Sequence, residues 1–238
     1  MNVRPLEPAD IPWAADLMES RRQLYALYSP VFWRPARGGT DLHARYLLRQ
    51  IETGTNVGLR TDHGFIIGQH RMSEGFVDDF AIDPEATWAG DGRELLLATW
   101  KQLAGSGADA LRVVTAKADE RKVEMLLECS LRLVEQWWVK PLEATGSAAT
   151  TGRVDAASFS GILGPAPPVY DPGGAVLLAD RVAVEAELAI LEREAAHLGA
   201  VLAVLPTEPH ADREEDLRHR NRTVASQWYL GQPQSAAT

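Results

Sequence analysis

Cysteine is nearly absent: Cys129 is the sole one in 238 residues. An internal disulfide is therefore excluded, and a reducing compartment is the natural setting. Long apolar runs are missing as well. No stretch approaches the roughly 18 residues of a membrane span, so neither a transmembrane helix nor a membrane partner is expected. The opening "MNVRPLEPADIPW" lacks the basic-then-apolar pattern of a signal peptide, and the expected location is cytoplasmic. Basic residues are outnumbered, 24 Lys and Arg against 33 Asp and Glu, for a net charge of -9. That balance argues against nucleic acid as a partner and is compatible with a cationic substrate such as an amine. The six histidines show no metal-ligand spacing, so no metal is expected.

What is present is ordinary globular composition and enough chain for one large domain or two modest ones. Residues 2–5 read as a short strand. "EPADIPWAADLMESRRQLYALY" reads as a helix, with Asp10 placed to cap it and Ile11, Ala14, Leu17 and Met18 at helical spacing. A loop rich in aromatics and prolines follows, then the helix "DLHARYLLRQIE". Two short strands joined at Thr61 and Asp62 precede the strand "GFVDDFAID", which Pro84 stops. Next come the helix "GRELLLATWKQLAG", the β-branched strand "ALRVVTA", the helix "DERKVEMLLECSL" and the strand "RLVEQWWVKPL".

Residues 143–163 begin with small polar side chains and read as a linker. Beyond them the order β-α-β-α-β recurs: "AVLLAD", "VEAELAILEREAAHL", "AVLAVLP", "DREEDLRHR" and "RTVASQWYLG". The halves share words, Gln136-Trp137-Trp138 against Gln227-Trp228-Tyr229. The expected organisation is a first domain over 1–142 and a partial internal repeat over 164–238. One residue of each aromatic pair faces a core on an alternating strand. The other is left for the partner half or a second subunit, so a homodimer is one reading.

Between the strand ending at Asp83 and the helix beginning at Arg93 lies "TWAGDG", with Gly90 and Gly92 at the mouth of the helix. Helix N-termini carry unpaired N–H groups and partial positive charge, and glycine lets a ligand approach the backbone. Arg93 adds a cation. No Gly-Lys-Ser/Thr follows, which excludes a P-loop, and the third glycine of a Rossmann fingerprint is missing. The alternative is a plain turn.

The element order to about Leu142, with "GFVDDFAIDPEATWAGDGRELLLATW", resembles the GNAT N-acetyltransferase superfamily. The resemblance covers a little over half of the chain. It implies an α/β (α+β) fold: a mixed, mostly antiparallel sheet flanked by helices, here followed by the C-terminal half-repeat. It also implies acetyl-coenzyme A as cofactor. The family's Arg/Gln-x-x-Gly-x-Gly/Ala turn wraps the pyrophosphate and corresponds to Thr87, Trp88, Ala89, Gly90, Asp91 and Gly92, followed by Arg93. Thr87 stands at the Arg/Gln place. Phe80, Ala81 and Ile82 correspond to the strand that holds the pantetheine arm. Asp119 falls where the family often has an asparagine touching that arm. The second half runs from strand to helix through "LLADRVAVEAEL" without a glycine turn, so no second cofactor site is expected.

Acetyl transfer to an amine needs a base, an oxyanion donor and held reactants. The resemblance places the base on or near the fourth strand. Asp78 and Asp79 are the candidates, and they point to opposite faces; Glu74 is a third. The family's usual acid, a tyrosine, corresponds to Leu126. Tyr25 or Tyr28 could take that role, or the thiolate could leave unaided. The acceptor pocket corresponds to "SRRQLYALYSPVFWRPARG", where Tyr25, Tyr28 and Trp33 are the substrate-binding candidates and could hold a cation on aromatic faces. Arg21, Arg22 and Arg34 could instead recognise a carboxylate. Cys129 has no recognisable histidine partner and reads as a core thiol. The function implied is transfer of an acetyl group to a small-molecule amine. A non-catalytic coenzyme A-binding module and a purely structural one are the alternatives.

Overall fold

A computed structural model describes residues 2–84, 86–146, 151–156, 159–180 and 185–232. The chain divides into two compact units. Unit 1 comprises Met1–Arg21, Thr40–Val134 and Trp228–Thr238; unit 2 comprises Arg22–Gly39 and Glu135–Gln227.

Unit 1 is built on strands β1 (Arg4–Pro5), β2 (Val57–Arg60), β3 (Gly64–Arg71), β4 (Glu74–Ile82) and β5 (Ala110–Ala116), in that order across the sheet. β1 to β4 pair antiparallel, and β4 pairs parallel with β5. Six consecutive buried residues of β3, from Gly64 to Gln69, mark it as a central strand covered on both faces. One face packs against α1 (Ile11–Tyr28, whose residues up to Arg21 belong to this unit) and α2 (Gly39–Glu52). Leu6, Ile11, Ala14, Leu47, Phe65 and Ile67 form that core. The other face carries α3 (Arg93–Gly105) and α4 (Glu120–Glu128). There Leu95, Leu96, Trp100 and Leu103 recur at helical spacing against Ile66, Val77, Phe80 and Val113. Tyr229, from the last strand of the chain, lies in this same core.

Unit 2 takes most of β6 (Arg132–Pro141), followed by β7 (Gly152–Ala156), β8 (Phe159–Gly164), β9 (Ala175–Ala179), α5 (Glu185–His197), β10 (Ala200–Thr207), α6 (Ala211–His219) and most of β11 (Thr223–Gly231). β7, β8 and β9 pair antiparallel, β9 pairs parallel with β10, and β10 pairs antiparallel with β6. Trp138 is fully enclosed in a core with Leu177, Leu188, Leu191 and Leu205, and its Nε1–H donates to Thr207 Oγ1 at 3.1 Å.

Two expectations change. Residues 152–156 and 159–163, expected as part of a linker, lie in strands β7 and β8, which pair antiparallel; their short stretches of small residues hide the alternation that marks a strand. The units also differ from the expected division into 1–142 and 164–238. Unit 2 includes Arg22–Gly39, and the chain's last strand returns Trp228 onward to unit 1. The expected glycine-free joint before α5 falls on residues 181–184, outside the described residues.

Candidate functional site

β4 and β5 pair only from Glu74↔Ala110 to Val77↔Val113. Beyond that point β4 continues to Ile82 on its β3 partner alone, and β5 continues to Ala116. The parallel pair therefore opens at Asp78, and the opening is the centre of the candidate site.

The expectation that Asp78 and Asp79 face opposite ways holds. Asp78 is exposed and Asp79 buried. The Asp78 carboxyl is pushed up to about 6, first by desolvation among the surrounding protein and then by the Asp79 charge; Lys122, His43 and Arg71 pull the other way. Protein surrounds Asp78, yet the residue as a whole remains exposed. Asp79 Oδ1 lies 2.7 Å from Nε2 of His43, a buried residue of α2. Tyr46, one turn on, stacks on His43 with ring centroids 5.9 Å apart, and its hydroxyl accepts from Gln69 Nε2 at 2.7 Å. Burial, then the Asp79 charge, raises the Tyr46 phenol above its ordinary value and keeps it protonated. Glu74 is committed elsewhere, accepting from Arg112 Nε at 2.9 Å.

Lys122 of α4 is buried at the opening. Its Nζ donates to Phe80 O of β4 at 3.4 Å and to Val114 O of β5 at 3.2 Å. The ammonium also lies 5.0 Å from the Phe80 ring centroid and 5.3 Å from that of Trp88. Phe80, Ala81 and Ile82 are all buried. The turn after β4 is a π-helical one, Trp88–Gly92, leading into α3. Thr87 caps it: Gly90 N–H donates to Thr87 Oγ1 at 3.0 Å, and Gly92 N–H reaches Thr87 O at 3.4 Å. Trp88 turns inward against Phe80, and the Arg21 guanidinium lies 4.4 Å over its ring while pairing with half-buried Asp119. Asp91 is buried, Arg93 lies 4.0 Å from Glu128, and Ala89 is exposed. A cavity of about 300 Å³ lies beside the turn, lined by Thr87, Trp88, Ala89 and by Arg121, Glu124, Met125 and Glu128 of α4.

The acceptor-side candidates belong to unit 2. Tyr25 and Trp33 are buried, with ring centroids 5.3 Å apart, and Trp33 also meets Tyr170 and donates its Nε1–H to Ala225 O. Tyr28 is exposed. Leu126 is fully buried in the core. Arg34 pairs with Asp171. Cys129 is a buried thiol raised by burial, 3.8 Å from Met125 Sδ, as the core reading expects. Among the described residues no group of three His, Cys, Asp or Glu side chains could hold a metal, and no helix is long and apolar enough to cross a membrane.

His43, Tyr46 and Lys122 were not among the residues expected from the sequence. The His43–Tyr46 spacing places both on one helix face, which was a usable signal. Nothing in the local sequence shows that Lys122 turns inward.

By sequence, neither a family model nor a curated protein matches the chain. Solved structures do match. The GCN5-related N-acetyltransferase of Sphaerobacter thermophilus superposes with a TM-score of 0.58 at 12% identity, over 96% of this chain and 94% of that one. A candidate acetyltransferase from Thermoplasma acidophilum gives 0.61 at 11%, over 98% and 100%. Another from Pyrococcus horikoshii gives 0.53 at 11%, over 98% and 89%. This chain has the GNAT fold. At these identities the likeness concerns architecture, and it runs through both units.

The resemblance in sequence leads to the expectation of an acyl-coenzyme A donor. Such a molecule offers amide N–H donors along its arm and anionic oxygens at its diphosphate. The corner supplies the complementary groups: carbonyls at Phe80 and Val114, and a backbone N–H at Gly90. Each already holds a protein group of the ligand's kind. The Lys122 ammonium donates to the carbonyls, and the Thr87 hydroxyl accepts from Gly90. The groups at this corner fit such a molecule in type, and side chains of the protein itself occupy them.

Proposed function

We propose that the chain is an acyltransferase that moves an acyl group, acetyl in the simplest case, from coenzyme A to a small-molecule amine in unit 1. One observation carries this reading. The parallel pairing of β4 and β5 ends at Val77↔Val113, and Asp78, the next residue of β4, is open to solvent with its carboxyl raised to about 6. A carboxylate with that affinity is ionised at neutral pH yet takes a proton more readily than an ordinary aspartate.

In this reading Phe80, Ala81 and Ile82 hold the arm. Thr87 to Arg93, with the N-terminus of α3, hold the diphosphate. Arg121 adds a positive charge at the cavity, and Glu124 and Glu128 oppose it. Bound acyl-coenzyme A supplies an activated thioester. Asp78 accepts the ammonium proton of the incoming amine. Asp79, within hydrogen-bond distance of His43, lies beside Asp78, and its charge raises the Asp78 proton affinity. Tyr46 is a protonated phenol in the same group of side chains. The roles of Tyr25, Tyr28 and Trp33 toward the acceptor, and of Tyr28 as acid, rest on the family resemblance alone. We read unit 2 as a second copy whose sequence carries no glycine between β9 and α5. The interval from Gln136 to Gln227 also separates the start of α4 from that of α6, and left-handed Ser130 from left-handed Asn221.

The test is acetyl-coenzyme A turnover against a panel of small amines, with wild type and Asp78→Asn compared from pH 5 to 8. Wild type is expected to gain activity through about pH 6. Asp78→Asn is expected to lose roughly 100-fold or more in kcat/KM, together with that acidic limb. Undiminished turnover in Asp78→Asn rejects the base assignment. A second reading, coenzyme A binding without catalysis, is favoured by Leu126, whose buried side chain leaves α4 without the family's proton donor. Saturable binding without turnover on any amine would select it.

A further inference from the structure

We propose that Lys122 is a latch on the donor groove: its ammonium holds the place of the donor's amide arm, and coenzyme A enters only by displacing it. This rests on the reading of unit 1 as the donor site.

The geometry is that of a bound ligand. Lys122 Nζ bridges the two strands where they have stopped pairing with each other, donating to Phe80 O and Val114 O. An ammonium away from water needs partners for its protons and its charge. It finds both: two carbonyls, the Phe80 and Trp88 rings, and the negative field of the nearby Asp78. The residue is 2% exposed, so its whole length is inside. A four-carbon stem ending in a charge is not needed to fill that space; a leucine or methionine would do so without desolvating an ion. What only a donor group does there is hydrogen-bond the Phe80 and Val114 carbonyls, both past the end of the β4–β5 pairing.

The neighbours reinforce the closure. Trp88 packs on Phe80 and lies beneath Arg21, and Arg21 is tied to Asp119 at the N-terminus of α4, three residues before Lys122. One set of contacts therefore joins α1, the turn and α4 around the same ammonium. An arm entering between β4 and β5 must exchange its own N–H groups for Lys122 on those carbonyls. Intrinsic affinity for coenzyme A is lowered by whatever that displacement costs.

The experiment measures coenzyme A binding by calorimetry on the full chain, for wild type, Lys122→Met and Lys122→Ala. Thermal unfolding without ligand confirms that each is folded. Met keeps the aliphatic stem, so it carries the test if the Ala cavity prevents folding. Both variants are expected to bind at least ten-fold more tightly than wild type, because the carbonyls are left for the ligand. A merely structural lysine would weaken binding when removed. Equal or weaker binding by the folded variants overturns the latch while leaving the donor site standing. No binding by wild type or by either variant at millimolar coenzyme A overturns the donor site, and the latch with it.

Discussion

Asp78 and Asp79 are neighbours on β4 with opposite fates. Alternation along a strand was enough to say that one faces the opening and the other does not. It could not say which, because the deciding partner, His43, sits 36 positions away on α2. The two carboxylates interact through charge, which gives a test at this scale. Asp79→Asn removes the like charge that helps hold Asp78 up, so the acidic limb of the pH–rate profile should move below about 6. An unchanged limb would mean that desolvation alone sets the Asp78 affinity. Lys122 was illegible for a different reason. A lysine on a helix normally reads as solvent-facing, and the carbonyls that Lys122 reaches lie on two strands, past the end of their pairing.

At the scale of elements, most of the sequence could be read directly. Periodicity and punctuation locate α1 to α6 and the strands other than β7 and β8, because each buries one face or lies wholly inside. The glycine turn was legible in position but not in cause. Gly90 and Gly92 stand where the sequence suggested an approaching anion, yet a Cβ at Gly92 would lie 2.5 Å from the Trp88 ring. Gly92 is thus required by an inward tryptophan, whether or not a ligand comes. Gly92→Ala should destabilise the fold by about 1–3 kcal/mol, as overpacking does, visible as a lower denaturant midpoint. Wild-type stability in that variant would show that Trp88 moves aside freely, which would also make the turn easier to open.

Over the whole molecule, the linear division into a first domain and a half-repeat misses a crossing of the chain. Unit 1 draws Tyr229 of β11 into its core, and unit 2 encloses Trp138 of β6. These are the matching residues of the two repeated words, Gln136-Trp137-Trp138 and Gln227-Trp228-Tyr229. Composition along the chain cannot reveal which unit a strand end joins, since that depends on pairing between distant segments. The central claim is that the donor binds unit 1, at the opening of β4 from β5 and the turn that follows. Amide hydrogen exchange with and without saturating coenzyme A tests it most directly. Slower exchange across the turn Trp88–Gly92 and the start of α3, with α5 and β9 of unit 2 unchanged, is the predicted result. Protection confined to unit 2, or no change anywhere at saturation, would contradict it.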